Sequence, residues 1–436
     1  MNPSNRRNFL KQSGGALFAA GTLASLHAQG AGERIVIGLI GPGGMGTNHL
    51  QWFAAQKDVS VAYVCDPDEG HRNRAADTTE KLSGTRPKAV ADMRRVFEDK
   101  AVDAVVIATP DHWHAPATIL ACEAGKHVYV EKPCAHNIRE GRLMIEAARR
   151  HNRVVQVGTQ SRSTPHVKQA MELLHGGAIG DVLVSKAWNS QLRANIGHEK
   201  PGNPPPELDY DLWVGPAPMV PYQKNRLHSW WRWCYNFGSG DAGNDGVHDI
   251  DIARWGLGTE THPSTVSATG GKLFFDDDQE FPDTMYVSFE YAPDTKSGKR
   301  RQLIYEHRIW SPYVQEGAEN GNAFYGTKGM LILSKGSGWK LYGPGNQLKE
   351  EMAGKVDTAA HERNFLDCIR SGQRPAADIE AGHLSATLAH MGNIAVRTGR
   401  MLHFDPASEK ITGDEAAAAL VRRSYRDDHW AVPMGV

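Results

Sequence analysis

The chain has 436 residues, with 49 Lys+Arg against 50 Asp+Glu and a formal net charge of −1. That length is enough to bury a sizeable core in one or two domains, and the balanced charge gives no basic footprint for nucleic acid or an acidic membrane. The five cysteines (Cys65, Cys122, Cys134, Cys234 and Cys368) are scattered, odd in number and without a C-x-x-C pair, which argues against a disulfide framework and a cysteine zinc site.

Arg6 and Arg7 precede Phe9, Leu10 and Lys11, and a short apolar run over 16–26 ends near small residues around Ala28. A basic start, a short hydrophobic segment and a cleavage point read as a secretory signal over residues 1–30. The run falls short of the about 20 apolar residues that span a bilayer. The arginine pair resembles a twin-arginine signal, whose machinery exports folded proteins. It implies a periplasmic or otherwise exported protein with no stable membrane insertion after cleavage; an uncleaved anchor or a chance basic N-terminus is the alternative.

From residue 34 to 160, Val- and Ile-rich runs at 35–40, 59–65, 104–108, 127–130 and 154–157 alternate with helical patterns. Strands so free of polar residues belong to a parallel sheet covered on both faces, which predicts a doubly wound α/β domain. Gly41, Gly43 and Gly46 form G-x-G-x-x-G directly after the first strand, within "GPGGMG", which also contains Gly44 and Met45. The first glycine permits the turn, the second lets a pyrophosphate approach, and the third lets the following helix pack closely. Asp66, ending the second strand, is placed to accept hydrogen bonds from an adenosine ribose and to repel a 2′-phosphate. The pattern predicts NAD, with NADP left open by Arg72 and Arg74.

The fourth strand ends in "ATPDHWHAP". In an open parallel sheet, ligands sit beyond the carboxyl ends of the strands, which puts Thr109, Pro110 and His114 near the cofactor. With no third ligand beside His112 and His114, no metal is expected. The next strand ends in "VYVEKPCAHN", where Pro133 favours extended geometry for Lys132, and a helix capped by Asn137 follows, with Glu140 as capping-box partner. Glu131 and Lys132 are thereby projected over the edge that carries the glycine loop. A lysine there can stabilise developing alkoxide charge; an ordinary surface lysine is the alternative.

A substrate domain is expected over 161–405, followed by a C-terminal tail over 406–436. Its strand-like segments at 182–188, 284–291, 302–306, 330–333 and 339–342 have few helices between them, which reads as a largely antiparallel sheet in an α+β domain. Two late helical stretches, "HERNFLDCIRSG" and "EAGHLSATLAHMGNIAVRTG", are expected to pack between the domains. The proline-rich 201–218 reads as a surface excursion. Trp230, Trp231 and Trp233 offer aromatic faces to a sugar or serve in packing, and Trp230 is the one placed at substrate. Gln160 and Arg162, at another strand end, are further substrate candidates. A helix beginning near Val247 lines up His248, Asp251, Ile252 and Trp255 on one face. His248 can take a hydroxyl proton near neutral pH, and Asp251, also a substrate candidate, can orient it or be structural.

"GPGGMG", "EKP" and the G-x-H-x-x-D of Gly246, His248 and Asp251 together resemble the glucose–fructose oxidoreductase/inositol dehydrogenase/MocA (Gfo/Idh/MocA) family. The resemblance covers nearly all of the chain after the signal. It implies a Rossmann domain followed by an open, mostly antiparallel sheet, one face of which is often used for homo-oligomerisation. It also implies hydride transfer between NAD(P) and a sugar, polyol or sugar derivative. Lys132 and His248 would flank the nicotinamide and the reacting carbon. Family members often carry an aspartate four residues before the histidine; here Asn244 stands there, with Asp245 beside it. An amide cannot relay a proton, so Asn244 is assigned to a substrate hydroxyl. Two other readings remain: an NAD-dependent glycosidase working by transient oxidation and elimination, and a non-catalytic sugar-binding or assembly protein.

Overall fold

The computed structural model describes residues 34–293 and 298–436; the signal-like segment lies outside them. Six strands form the first sheet: β1 (Ile35–Ile40), β2 (Val59–Cys65), β3 (Lys88–Val90), β4 (Ala104–Ile107), β5 (His127–Val130) and β6 (Val155–Val157). All are parallel, in the order β3-β2-β1-β4-β5-β6. The helices α1 (Gly44–Ala54), α2 (Glu69–Ser83), α3 (Arg94–Glu98), α4 (Asp111–Glu123) and α5 (Ile138–Arg150) connect them. β4 is buried along its whole length, as its unbroken apolar sequence requires. β3 is a short, mostly exposed edge strand that the apolar pattern did not reveal. The strand order reverses between β1 and β4, which opens the ligand crevice there.

Asn137 caps α5, its Oδ1 accepting the Glu140 N–H at 3.0 Å. The other half of the expected capping box is absent. The Glu140 carboxylate accepts instead from Arg423 and Tyr425, at 2.8 and 2.7 Å.

The second part begins with α6 (Pro165–His175) and β7 (Val182–Asn189), then α7 (Tyr210–Val214) and α8 (Val247–Leu257). Strands β8 (Thr265–Gly271), β9 (Thr284–Tyr291), β10 (Arg301–Arg308), β11 (Asn320–Gly326), β12 (Met330–Ser334), β13 (Gly338–Gly343) and β14 (Gln347–Ala353) follow. Then come α9 (Thr358–Ser371), α10 (Ile379–Thr398), β15 (Leu402–Asp405), β16 (Lys410–Thr412) and α11 (Glu415–Ala419). The ten strands run β14-β13-β12-β11-β7-β10-β9-β8-β15-β16. β7 and β10 pair in parallel, and the other pairs are antiparallel.

The inner residues of this sheet, such as Leu303, Tyr305 and Phe324, pack with Ile250 and Ile252 of α8 and Leu388 and Met391 of α10. α10 is shared between the domains, because its Ile379 and Ala386 join the core beneath the first sheet. Phe365 and Leu366 of α9 enter the core around Ile35, Ile37 and Leu39. The two late helices therefore pack between the domains, as their sequences predict.

The segment expected as a tail over 406–436 is no tail. Its first part adds β16 to the sheet edge, and its last part returns to the first domain. There Arg423 pairs with Glu140, while Arg426 pairs with Asp211 of α7. Arg139 Nε donates to the Gly435 carbonyl at 2.9 Å. The proline-rich excursion also folds back, with the Glu69 N–H donating to Glu207 and the Asp209 N–H to Pro67. All five cysteines are buried free thiols. Among the described residues no helix is long and apolar enough to cross a membrane.

Candidate active site

A cleft of about 700 Å³ opens at the carboxyl ends of the first sheet. Gly41, Gly43, Gly44 and Met45 wall it. Gly41 has φ +84, and a Cβ there would lie 2.8 Å from the Ala108 carbonyl, so the turn needs glycine. A Cβ on Gly46 would meet the Gly41 carbonyl at 2.1 Å, so this third glycine serves close packing and does not wall the cleft. Gly43 has no atom within 4 Å of where its Cβ would be. That open backbone, at the start of α1, is the space a pyrophosphate needs.

Asp66 stands at the end of β2 in the cleft wall, and its Oδ1 accepts the Asp68 N–H at 2.9 Å. Its Oδ2 is 3.4 Å from His71 Nδ1, and this contact raises the His71 pKa above the ordinary value. Arg74 lines the cleft, whereas Arg72 donates to the Asp66 and Pro67 carbonyls. Asp68, His71 and His228 also converge here, but Asp68 Oδ1 already caps α2 by accepting the His71 N–H. The cleft is also walled by Trp213, Trp231 and, from the C-terminal segment, Trp430. The Trp430 ring lies 5.7 Å from that of Trp113, and the Arg94 guanidinium lies over it at 4.5 Å. An isolated tryptophan near the chain end carries no spacing signal, so this placement could not be read from the residues around it.

Thr109, Pro110 and His114 line the cleft. The His114 ring spans the loops after β4 and β5, with Nε2 2.8 Å from the Thr109 carbonyl and Nδ1 2.7 Å from that of Pro133. His112 points away and bonds the Trp213 carbonyl at 3.0 Å.

Glu131 is buried at the cleft edge, and it anchors a charge chain that sequence reading missed. Its Oε1 lies 2.9 Å from His49 Nε2, and His49 Nδ1 lies 2.5 Å from Glu362 Oε1. Burial, the largest influence on His49, opposes its charge, yet the two carboxylates raise it to about 9. Burial likewise opposes ionisation of Glu131, but His49 brings its pKa down to about 2. An imidazolium between two carboxylates thus ties α1 and α9 to the E-K-P turn. Gln160 Nε2 donates to the same Glu131 oxygen at 3.1 Å.

Lys132 lies in the cleft beside Asn244. Its Nζ donates to the Asn244 backbone carbonyl at 2.5 Å, and Asn244 Oδ1 is 3.5 Å away. Asn244 belongs to a π-helical turn, Ala242–Gly246, that runs directly into α8. Its amide donates to the buried Asp241 at 3.1 Å. Asp245 accepts from Asn320 at 2.9 Å and lies 3.9 Å from Lys335, which also pairs with Asp249 at 2.5 Å. Burial opposes the Asp245 charge, but Lys335, His248 and Lys132 hold its pKa far below the carboxylate range.

His248 begins α8, one turn beyond Asn244. Burial, then the charges of Lys132 and Lys335, push its pKa down to about 3, against the pull of Asp245 and Glu131. The imidazole is therefore neutral, and among the described residues its ring has no hydrogen-bond partner. Lys132 and His248, far apart in the chain, meet in one electrostatic environment. The cleft wall includes Lys132 and Asn244 but stops short of His248.

Three substrate assignments need correction. Asp251 and Arg162 form a buried ion pair at 2.8 Å, with Ser385 donating to Asp251 at 2.6 Å and Arg162 lying over Trp255. Their charges satisfy each other outside the cleft, because one turn of helix after His248 points Asp251 toward α10. Trp230 packs against the Ile196, Trp233, Phe275 and Ile309 cluster. Its neighbours Trp231 and Arg232 line the cleft in its place.

The comparisons bear on this geometry. Residues 35–159 match the family model "Oxidoreductase family, NAD-binding Rossmann fold", and residues 185–432 match "Oxidoreductase family, C-terminal alpha/beta domain". The chain is 32% identical over 232 residues to inositol 2-dehydrogenase 2 of Saccharopolyspora erythraea, covering 53% of this chain and 56% of that protein. It is 26% identical over 211 residues to a glycosyl hydrolase family 109 protein of Shewanella baltica, covering 43% and 46% of the two chains. The chain thus spans about half the length of these curated relatives. Levoglucosan dehydrogenase, solved with NADH and levoglucosan, superposes with a TM-score of 0.64 at 20% identity, covering 85% of this chain and 99% of the other. That likeness is one of fold.

Proposed function

Because the chain belongs to the Gfo/Idh/MocA oxidoreductase family, we propose that it moves hydride between NAD and a hydroxyl-bearing carbon of a sugar, polyol or sugar derivative. The observation that carries this reading is the approach of Lys132 to the turn that leads into His248, at the end of the nucleotide cleft. The glycine turn, Asp66, Thr109, Pro110, His114 and Glu131 fit a dinucleotide: space at Gly43, a carboxylate at the ribose end, and a fixed edge beyond. A bound nicotinamide supplies the hydride acceptor or donor. Asp66, at the ribose end, supports NAD over its 2′-phosphorylated form.

Lys132 Nζ holds the substrate oxygen and favours its negative charge. A ring nitrogen of His248 takes the hydroxyl proton. A weak base suffices, because a hydroxyl becomes strongly acidic as its carbon turns into a carbonyl. Asn244 fixes Lys132 through its carbonyl and leaves no side-chain carboxylate in the usual relay position. Trp231 and Arg232 are the substrate contacts favoured over Trp230, Arg162 and Asp251.

The reading includes a retained cofactor. What supports it is the set of aromatic side chains, Trp213, Trp231 and Trp430, that line the cleft, together with the signal-like start. Dinucleotide loaded in the cytoplasm would travel out inside the folded chain and be recycled in place by a redox-neutral cycle. Protein purified from the periplasm and then denatured is expected to release near-stoichiometric dinucleotide; an empty, freely exchanging site contradicts retention.

The similarity to a glycosyl hydrolase family 109 protein favours a second reading, glycoside cleavage through transient oxidation. Incubation with a nitrophenyl glycoside separates the two: release of nitrophenol without net change in NADH indicates the glycosidase.

A further inference from the structure

Arg232 lines the cleft from the short 3₁₀ turn Trp231–Trp233. Its backbone is closely packed, because a Cβ on Gly238 would lie 2.4 Å from the Arg232 Cα. The guanidinium lies 5.3 Å over the ring of Trp231, which also lines the cleft. None of its donors has a hydrogen-bond or ion-pair partner among the described residues. Its Nε is buried, whereas the terminal nitrogens keep accessible surface, so a molecule in the cleft can reach them.

The carboxylates that act on Arg232 are Asp241, Asp111 and Asp245. None of the three lines the cleft, and each is committed elsewhere. Asp111 accepts from Ser239 at 2.6 Å, Asp241 from Asn189 and Arg193 at 2.9 Å, and Asp245 from Asn320 at 2.9 Å. Burial, then the charge of Arg193, opposes the Arg232 charge and holds its pKa below the ordinary arginine value.

An arginine that only packed on tryptophan would turn its head to water or to one of these acids. A guanidinium with reachable, unanswered donors in a cleft calls for an anionic group on a ligand. Its surroundings set it apart from the dinucleotide phosphates. Asp241 also accepts from Asn244, whose carbonyl holds Lys132, and Asp111 feels both Lys132 and Arg232. Arg232 therefore belongs with the Lys132 edge, whereas the space for a pyrophosphate is at Gly43.

Resting on the hydride-transfer reading, we propose that the substrate is a sugar acid, a polyhydroxylated monocarboxylate, and that Arg232 selects it by pairing with the carboxylate. The planar guanidinium matches a carboxylate with parallel N–H groups. The three acids behind it disfavour a doubly charged phosphate. The carboxylate takes no part in the chemistry; it anchors one end of the substrate while a hydroxyl-bearing carbon faces Lys132 and His248. The Trp231 face covers the C–H side of the same molecule.

The test combines calorimetric titration of the oxidised holoprotein with the nicotinamide absorbance after mixing. The acids are glucuronate, galacturonate, gluconate and galactonate; glucuronamide, glucose and galactose are neutral partners, and glucose 6-phosphate is the doubly charged one. At least one acid is expected to bind saturably and to reduce the cofactor, half-saturating at a concentration at least about tenfold below every other compound class. Which acid does so distinguishes a uronate from an aldonate. In Arg232→Gln, compared at equal dinucleotide content, half-saturation should rise at least about tenfold with the limiting rate changed less, and Arg232→Lys should restore part of the loss. The proposal is overturned if no acid binds, if glucose 6-phosphate is preferred, or if the preference for the acid survives Arg232→Gln. Neutral sugars that reduce the cofactor as well as the acids overturn it while leaving hydride transfer standing. Acid binding that needs Arg232 but never reduces the cofactor supports the carboxylate site and contradicts hydride transfer.

Discussion

The Lys132 ammonium donates to the backbone carbonyl of Asn244, which in turn gives its side-chain amide to the buried carboxylate of Asp241. The lysine is thus oriented by a carbonyl, which no substitution at 244 removes. The side chain at 244 is set by Asp241, which also accepts from Asn189 and pairs with Arg193. Asn244→Asp therefore places two carboxylates against each other, where like charge and burial disfavour double ionisation. The expected outcome is a loss of roughly 1–3 kcal/mol of stability, the cost of a broken buried hydrogen bond. It should be largest at neutral pH and relieved in acid, where one of the two carboxylates takes up a proton. Denaturant unfolding of both forms across pH measures it; equal stability at every pH contradicts the pairing.

The proton acceptor should not show an ordinary histidine titration. Burial and the neighbouring ammonium groups push His248 to about 3. Its neutral form, the one able to accept a proton, persists above that value and is lost only as pH falls through it. The pH profile of kcat is expected to lack an acid limb near the unperturbed value of about 6.5. A limb there that vanishes in His248→Asn would contradict this environment.

His49 gives the fold an unusual sensitivity to base. Its folded pKa, about 9, is above the ordinary value of 6.5 because Glu131 and Glu362 outweigh burial. The stabilisation is fully present below the unfolded value and is lost as pH rises through the folded one. Glu131 runs the other way: at about 2 in the fold, it contributes above its unfolded value of 4.5 and is lost as pH falls through the folded value. Unfolding measured from neutral to alkaline pH should show wild type losing stability where His49→Gln does not. Parallel curves would remove the imidazolium from the account.

Trp430 should matter to cofactor residence more than to folding. It lies between Arg94, Trp113 and the cleft. Trp430→Ala is expected to speed dinucleotide release at least about tenfold through lost aromatic contact and burial, with the unfolding midpoint of the apoprotein little changed. Fluorescence of bound NADH during a chase with NAD follows the release directly, and an unchanged rate would free the C-terminal segment of this role.

Much of the nucleotide half could be read in advance because its signals are local. Gly41 is demanded by its positive φ and Gly46 by its contact with the Gly41 carbonyl, and β1, β4 and β5 are continuous apolar runs. Lys132 and His248 were legible through their motifs. What escaped depends on distant partners. Asp251 was assigned to substrate from helical spacing, but spacing does not reveal that Arg162 and Ser385 wait on the same side. Glu140 fits a capping box by spacing, but Arg423 and Tyr425, 283 and 285 residues away, take its carboxylate. Trp230 and Trp231 differ by one position and face opposite surroundings, which no three-tryptophan cluster in sequence can resolve. His49, Glu362 and Trp430 have no neighbours in sequence that announce a role.

The most direct test follows the nicotinamide absorbance of the purified holoprotein while candidate sugars and polyols are added, in wild type, Lys132→Met and His248→Ala. At least one polyhydroxylated compound is expected to reduce the bound cofactor in wild type. The rate is expected to be lower by about 10²–10⁴-fold in each variant, the usual yield of positioned acid–base groups, with dinucleotide content unchanged. Reduction at the wild-type rate in both variants would contradict this expectation.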